Sequence, residues 1–180
     1  MNFGPYPEIK LTPKMLELAW NLSKDLGKIK NSIEEGEGNF IGFCGELAYK
    51  QFFGLPIDDI HNTYDYDIEH NNLTFDVKAK KRSVFPKSHY EVSIADFNTK
   101  QNCDYYIFAS VKVDKRNQMP QTAHLVGYYP KKFYKEKSMF KKFEEKDLKS
   151  ENQFEFKADC WNMFFRDLMP VQNLKNLTVV

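Results

Sequence analysis

The sequence predicts an α/β fold, a mixed β-sheet with helices packed on it, and three observations carry the prediction. Apolar residues recur at helical spacing in two stretches before residue 55. The period then changes from 3.6 to 2 between Tyr64 and Lys80, around His70-Asn71-Asn72. A largely apolar run from Asp104 to Val113 then suits a strand covered on both faces. With 42% hydrophobic and 16% aromatic residues, a chain of 180 residues can fill one core.

The elements follow in order. Thr12-Pro13 reads as an N-cap and first helical residue, because proline presets φ and lacks only a donor that the first turn leaves unpaired. Leu16, Ala19, Trp20 and Leu26 then recur on one face as far as Gly27. Ser32 to Asn39 is a polar, glycine-containing loop. FIGFCGELAYKQFF follows as a mostly apolar helix closed by Gly54, with an Ile41–Ala48–Phe52 stripe inward and Lys50 and Gln51 in solvent. Gly42 and Gly45 let this helix approach a sheet closely, since they present no side chain. Pro56 to Asn62 is a loop, and Tyr64–Glu69 and Leu73–Lys80 are the arms of a hairpin. Asp104–Val113 is a central strand with Ala123–Tyr129 as its partner. Pro130 opens a lysine-rich surface helix running to Phe143, with Phe133, Phe140 and Phe143 as its apolar stripe. Trp161 to Phe165 is a last strand. No repeat or long linker divides the chain, so we expect one domain over residues 1–180, with a core over about 38–130, a helical N-terminal segment and a C-terminal extension.

Charge is distributed unevenly. Residues 1–77 hold 6 Lys/Arg against 13 Asp/Glu, whereas residues 78–150 hold 17 against 8. A basic middle segment is the footprint expected for a polyanion, or simply a solvated lysine face. No apolar run approaches the roughly 20 residues that span a bilayer, and the N-terminus lacks a basic start followed by an apolar stretch. Cys44, Cys103 and Cys160 are odd in number, far apart and without CxxC spacing, which argues against a disulfide framework or zinc knuckle and for a reducing cytoplasm.

The chemistry lies in four residues. In the strand Thr74-Phe75-Asp76-Val77-Lys78-Ala79-Lys80, alternation sends Phe75, Val77 and Ala79 to one face and Asp76, Lys78 and Lys80 to the other. A carboxylate beside an ammonium suits metal-assisted hydrolysis, Asp76 gripping a cation and Lys78 positioning water or helping to deprotonate it. Asp67 lies on the other arm of the hairpin, where antiparallel pairing brings it near Asp76. Asp65 shares its strand face, and we prefer Asp67 because strand-like Ile68 follows it. Converging carboxylates repel unless a cation sits between them, and hard oxygen donors favour magnesium or manganese over zinc. Glu46 stands among apolar and small neighbours, so it needs a partner or a metal.

GFCGELA, YDYDIEHNN and FDVKAKKR occur in the order of the motifs of the PD-(D/E)xK nucleases, and the chain resembles that superfamily, small phage-encoded endonucleases in particular. Glu46, Asp67, Asp76 and Lys78 carry the resemblance over residues 38–110. Tyr90-Glu91-Val92 and Gln101 to Phe108 extend it more loosely. Tyr66 stands where the pattern has proline, and Asp76 stands as the first residue of the D-x-K motif. The resemblance implies a restriction-endonuclease-like mixed β-sheet core flanked by helices, one or two magnesium ions, and cleavage of DNA that leaves a 5′-phosphate. Asp67, Asp76 and the Val77 carbonyl would then hold the first ion and Glu46 a second ion or its waters. Lys80, Lys81 and Arg82 would contact phosphates, with Lys87 and Lys100 extending the patch and Gln101 orienting substrate or water. Cutting both strands of a duplex calls for a homodimer or two successive events. The rivals are a non-catalytic nucleic-acid-binding protein and a phage interaction or inhibitor protein on the same fold. His61, His89, His124 and the cysteines receive no role, and paired aromatics such as Tyr105-Tyr106 are read as core.

Overall fold

The computed structural model describes residues 1–2, 4–26, 37–58, 65–146 and 155–176. The elements are β1 (Glu8–Lys10), α1 (Pro13–Leu26), α2 (Glu37–Phe53), β2 (Ile68–His70), β3 (Leu73–Arg82), β4 (Glu91–Ala95), β5 (Tyr105–Val113), β6 (Pro120–Pro130), α3 (Lys131–Lys137), β7 (Met139–Lys141) and β8 (Cys160–Phe164). Five strands make a mixed sheet in the order β1-β6-β5-β3-β2, with β3 and β5 parallel and the other pairs antiparallel. Strands β4, β8 and β7 make a second, antiparallel sheet. The α/β class with helices flanking a mixed sheet is thus as the sequence predicts.

Parallel strands cannot be joined by a tight turn, so the chain must leave the sheet between β3 and β5. It uses that crossover to lay β4 on the far face. Alternation along β5 then separates two cores. Ile107, Ala109 and Val111 face α1 and α2, while Tyr106 and Phe108 pack with Val92, Ile94, Met163 and Tyr134. Helix α2 lies between α1 and the sheet, which explains its nearly uniform apolar composition: Phe43, Cys44, Leu47, Ala48 and Tyr49 are all buried. A Cβ on Gly45 would stand 2.8 Å from Ala79 Cβ and 3.3 Å from Ala109 Cβ, so the missing side chain is what seats α2 on β3 and β5. Gly42 faces open space and has no such part.

The hairpin turns through Asn71 (φ 54°) and Asn72 (φ 59°), the left-handed pair that a two-residue turn requires and asparagine tolerates. Thr12 Oγ1 caps α1 by accepting the Met15 N–H at 3.3 Å.

Several expectations are corrected. The buried face of α1 is Met15 and Ala19; Trp20 is half exposed and meets Phe40 edge-on. Helix α2 starts at Glu37, inside the expected loop, and Lys50 is buried rather than solvated. The first hairpin arm shortens to Ile68–His70. The lysine-rich helix stops at Lys137, because Ser138 turns extended and Met139–Lys141 pairs with β8. Phe133, Phe140 and Phe143 are exposed there, and Tyr134 is the residue that α3 buries. Strands β1 and β4 were not foreseen. Gly27, most of the 32–39 loop, residues 59–62 with His61, and Tyr64 lie outside the described residues. The C-terminal segment is core: Phe165 and Leu168 pack with β4 and β8, and Val171 and Leu174 with α2. No described helix is long and apolar enough to cross a membrane.

Candidate metal centre

Three carboxylates, Glu46 of α2, Asp67 just before β2 and Asp76 of β3, lie within electrostatic reach of one another. Asp76 and Lys78 project from β3 on the face opposite Phe75 and Val77, as alternation requires. Asp76 is 2% exposed, and the Lys78 ammonium stands 2.6 Å from its Oδ2. The approach is an ion pair off hydrogen-bonding direction, since Oδ2 has no hydrogen-bond partner. The ammonium instead donates to Gln101 Oε1 at 3.1 Å. Gln101 therefore reaches the site by holding Lys78.

Asp67 immediately precedes β2. Its N–H donates to the Phe75 carbonyl at 2.9 Å, and its Oδ2 accepts the Val77 N–H at 2.7 Å. A strand residue turns its N–H and C=O to the same side. The Val77 carbonyl therefore faces the Asp67 edge, beyond the last β2–β3 pair at Ile68 and Phe75. Asp65 is occupied elsewhere: its Oδ1 accepts the Asn102 N–H at 3.1 Å and ties down the loop that carries Gln101. The two aspartates left open by the sequence are thus separated by their partners, with Asp67 at the centre.

Glu46 comes from α2. Burial pushes its carboxyl up to about 7, Asp76 adds to the rise, and Lys50 and Lys78 oppose it. Asp67 is held well above the usual carboxylate range, first by burial and then by the charges of Glu46 and Asp76, against the Val77 N–H and Lys78. Both are half-buried, whereas Asp76 is buried. The charge of Asp76 raises the proton affinity of both Glu46 and Asp67, a repulsion that a cation relieves, and hard carboxylate oxygens suit magnesium or manganese. Among the described residues, no three His, Cys, Asp or Glu side chains are already gathered as a metal-holding group. Lys78 instead supplies the positive charge on Asp76.

Two neighbours escaped the sequence reading. Tyr106 faces Asp76 across β3 and β5. Cys103 is buried, its thiol pushed up to about 12 chiefly by burial and further by Asp76. Both become visible only once β3 and β5 are paired in register.

The basic residues divide. Lys80 is exposed on the Asp76 face, while Lys81 is exposed on the opposite face. Arg82 is half-buried, donates to the Glu91 carbonyl at 2.9 Å and lies over Tyr90 and Phe165 at 4.9 and 5.4 Å, so packing engages its guanidinium. Lys87 and Lys100 are exposed. Glu8, His124 and Ser110 line up across β1, β6 and β5, with His124 Nε2 2.9 Å from Glu8 Oε2. Ser110 is 1% exposed and its Oγ has no partner, so this row is closed to substrate and is no nucleophile with its base.

No protein-family model, curated protein or solved structure matches the chain.

Proposed function

We propose that the chain is a metal-dependent endonuclease of the PD-(D/E)xK type, hydrolysing phosphodiester bonds of DNA on a restriction-endonuclease-like core. The observation that supports it is the placement of Glu46 and Asp67 within electrostatic reach of buried Asp76, whose Oδ2 stands 2.6 Å from the Lys78 ammonium. Asp67, Asp76 and the Val77 carbonyl would hold one magnesium ion, or manganese in its stead, and Glu46 a second ion or its waters. Bound there, the metal supplies Lewis-acid polarisation of the phosphate and neutralises the developing charge. Lys78 positions the attacking water and faces that charge, and Gln101 fixes the ammonium when it leaves Asp76. Asp67 is kept rigid by its bond to the Val77 N–H. Exposed Lys80 holds a flanking phosphate.

The test is incubation of the protein and a Lys78→Ala variant with labelled duplex, single-stranded and branched DNA and with RNA, in magnesium, manganese or EDTA. Cleavage that needs metal and vanishes in the variant supports the reading and names the substrate class. One observation favours a second reading, a non-catalytic nucleic-acid-binding protein: Asp76 already carries its counter-charge at 2.6 Å. Binding without cutting under every condition would establish it. Neither binding nor cutting would point to a protein partner.

A further inference from the structure

Six buried side-chain atoms among the described residues lack a hydrogen-bond partner, and two of them, Asp76 Oδ2 and Tyr106 Oη, belong to residues that face each other across β3 and β5. Buried polar groups in native proteins are nearly always paired, so the unpaired Tyr106 hydroxyl, in register with an Asp76 whose Oδ2 meets the Lys78 ammonium outside hydrogen-bonding geometry, needs an explanation. Tyr106 cannot swing out to find water. It is 1% exposed, and its ring is held by Tyr134 and Phe108 at centroid distances of 5.3 and 6.3 Å. A fixed ring fixes its hydroxyl, which lies in the ring plane. The Cys103 thiol and the Asp76 carboxylate are near enough to act on this hydroxyl electrostatically. The two oxygens are not hydrogen-bonded to each other, so a link between them needs a third group.

We propose that Tyr106 is a positioning residue of the centre: through one water molecule its hydroxyl donates the outer hydrogen bond that steadies the Asp76 carboxylate once Lys78 yields it to a divalent cation. The inference rests on the metal reading above. A carboxylate that binds a cation through one oxygen keeps the other for such a bond, and these outer partners set both orientation and affinity. Lys78 stands 2.6 Å from Asp76 Oδ2 and is the group that must give way. Tyr134 is the internal control. It is equally buried in the same core, yet its hydroxyl is already satisfied by the Trp161 carbonyl at 3.0 Å.

The experiment is manganese titration by calorimetry on the full chain, wild type against Tyr106→Phe and Tyr134→Phe, with melting curves in EDTA. Tyr106→Phe removes only an unpartnered hydroxyl, so its melting temperature in EDTA should equal or exceed the wild type's, while manganese binding weakens roughly tenfold. Tyr134→Phe should do the reverse, melting lower with unchanged affinity. Unchanged manganese affinity in Tyr106→Phe, or a fall matched by earlier melting in EDTA, overturns this inference alone. A wild type that binds no manganese overturns the metal centre itself and this inference with it.

Discussion

Lys78 holds its ammonium 2.6 Å from Asp76 Oδ2 while donating to Gln101 at 3.1 Å, so the strand's own cation sits on the most deeply buried carboxylate of the centre. In Lys78→Ala that carboxylate loses its counter-charge. Breaking a buried pair costs about 3–5 kcal/mol, and we expect the low end because the Lys78 side chain is 20% exposed. Magnesium should then stabilise the variant more than the wild type, since no ammonium competes for Asp76. Urea unfolding with and without magnesium measures both effects. Equal stability of the two proteins in EDTA would show that the pair contributes nothing.

The raised Glu46 carboxyl makes metal-free stability depend on pH. A carboxyl whose folded value of about 7 exceeds its unfolded 4.5 prefers to be protonated in the fold. The associated stability is complete below the unfolded value and is lost as pH rises toward the folded one. The shift corresponds to about 3 kcal/mol at most, shared with the coupled Asp67. Glu46→Gln keeps the shape without the charge, so in EDTA at pH 8 it should unfold at higher urea than wild type by about 1–3 kcal/mol. At pH 4 the two should coincide. A variant no more stable at pH 8 would mean that Glu46 is not strained by burial.

How much of this was legible in the sequence follows from the range of each interaction. Thr12-Pro13, Asn71-Asn72 and the alternation of Asp76 with Val77 act within a few residues, so α1, the hairpin and the Asp76/Lys78 face were readable. The choice between Asp65 and Asp67 was not, because it depends on which backbone N–H each carboxylate reaches, Asn102 or Val77. The burial of Lys50 and the place of Tyr106 depend on packing between elements distant in sequence. The lysine-rich helix failed for a similar reason: its composition favours continuation, but pairing of Met139–Lys141 with β8 overrides it.

The two glycines of α2 should separate packing from propensity. Gly45→Ala puts a methyl group 2.8 Å from Ala79 Cβ, which forces α2 off the sheet at about 1–3 kcal/mol and moves Glu46 with it. Gly42→Ala meets nothing within 4 Å and should gain up to about 1 kcal/mol of helix propensity. Thermal melting of both variants reads the difference, and magnesium-dependent stabilisation should shrink in Gly45→Ala alone. Equal effects at the two positions would contradict the close seating of α2.

Lys80 and Arg82 project from one face of β3 but should behave differently on nucleic acid. Lys80 is exposed, and Arg82 is half-buried, its guanidinium donating to the Glu91 carbonyl and lying over the rings of Tyr90 and Phe165. A lysine that neutralises one phosphate contributes about one unit to the slope of log affinity against log salt. Lys80→Ala should therefore flatten that slope by about one. Arg82→Ala should lower the melting temperature and leave the slope as it was, because the group it removes joins β3 to β4 rather than to a phosphate. Salt titrations of DNA binding in calcium-free EDTA buffer, which stops cleavage, would compare them. A flattened slope in Arg82→Ala with normal melting would return Arg82 to the phosphate-binding surface that its sequence position suggests.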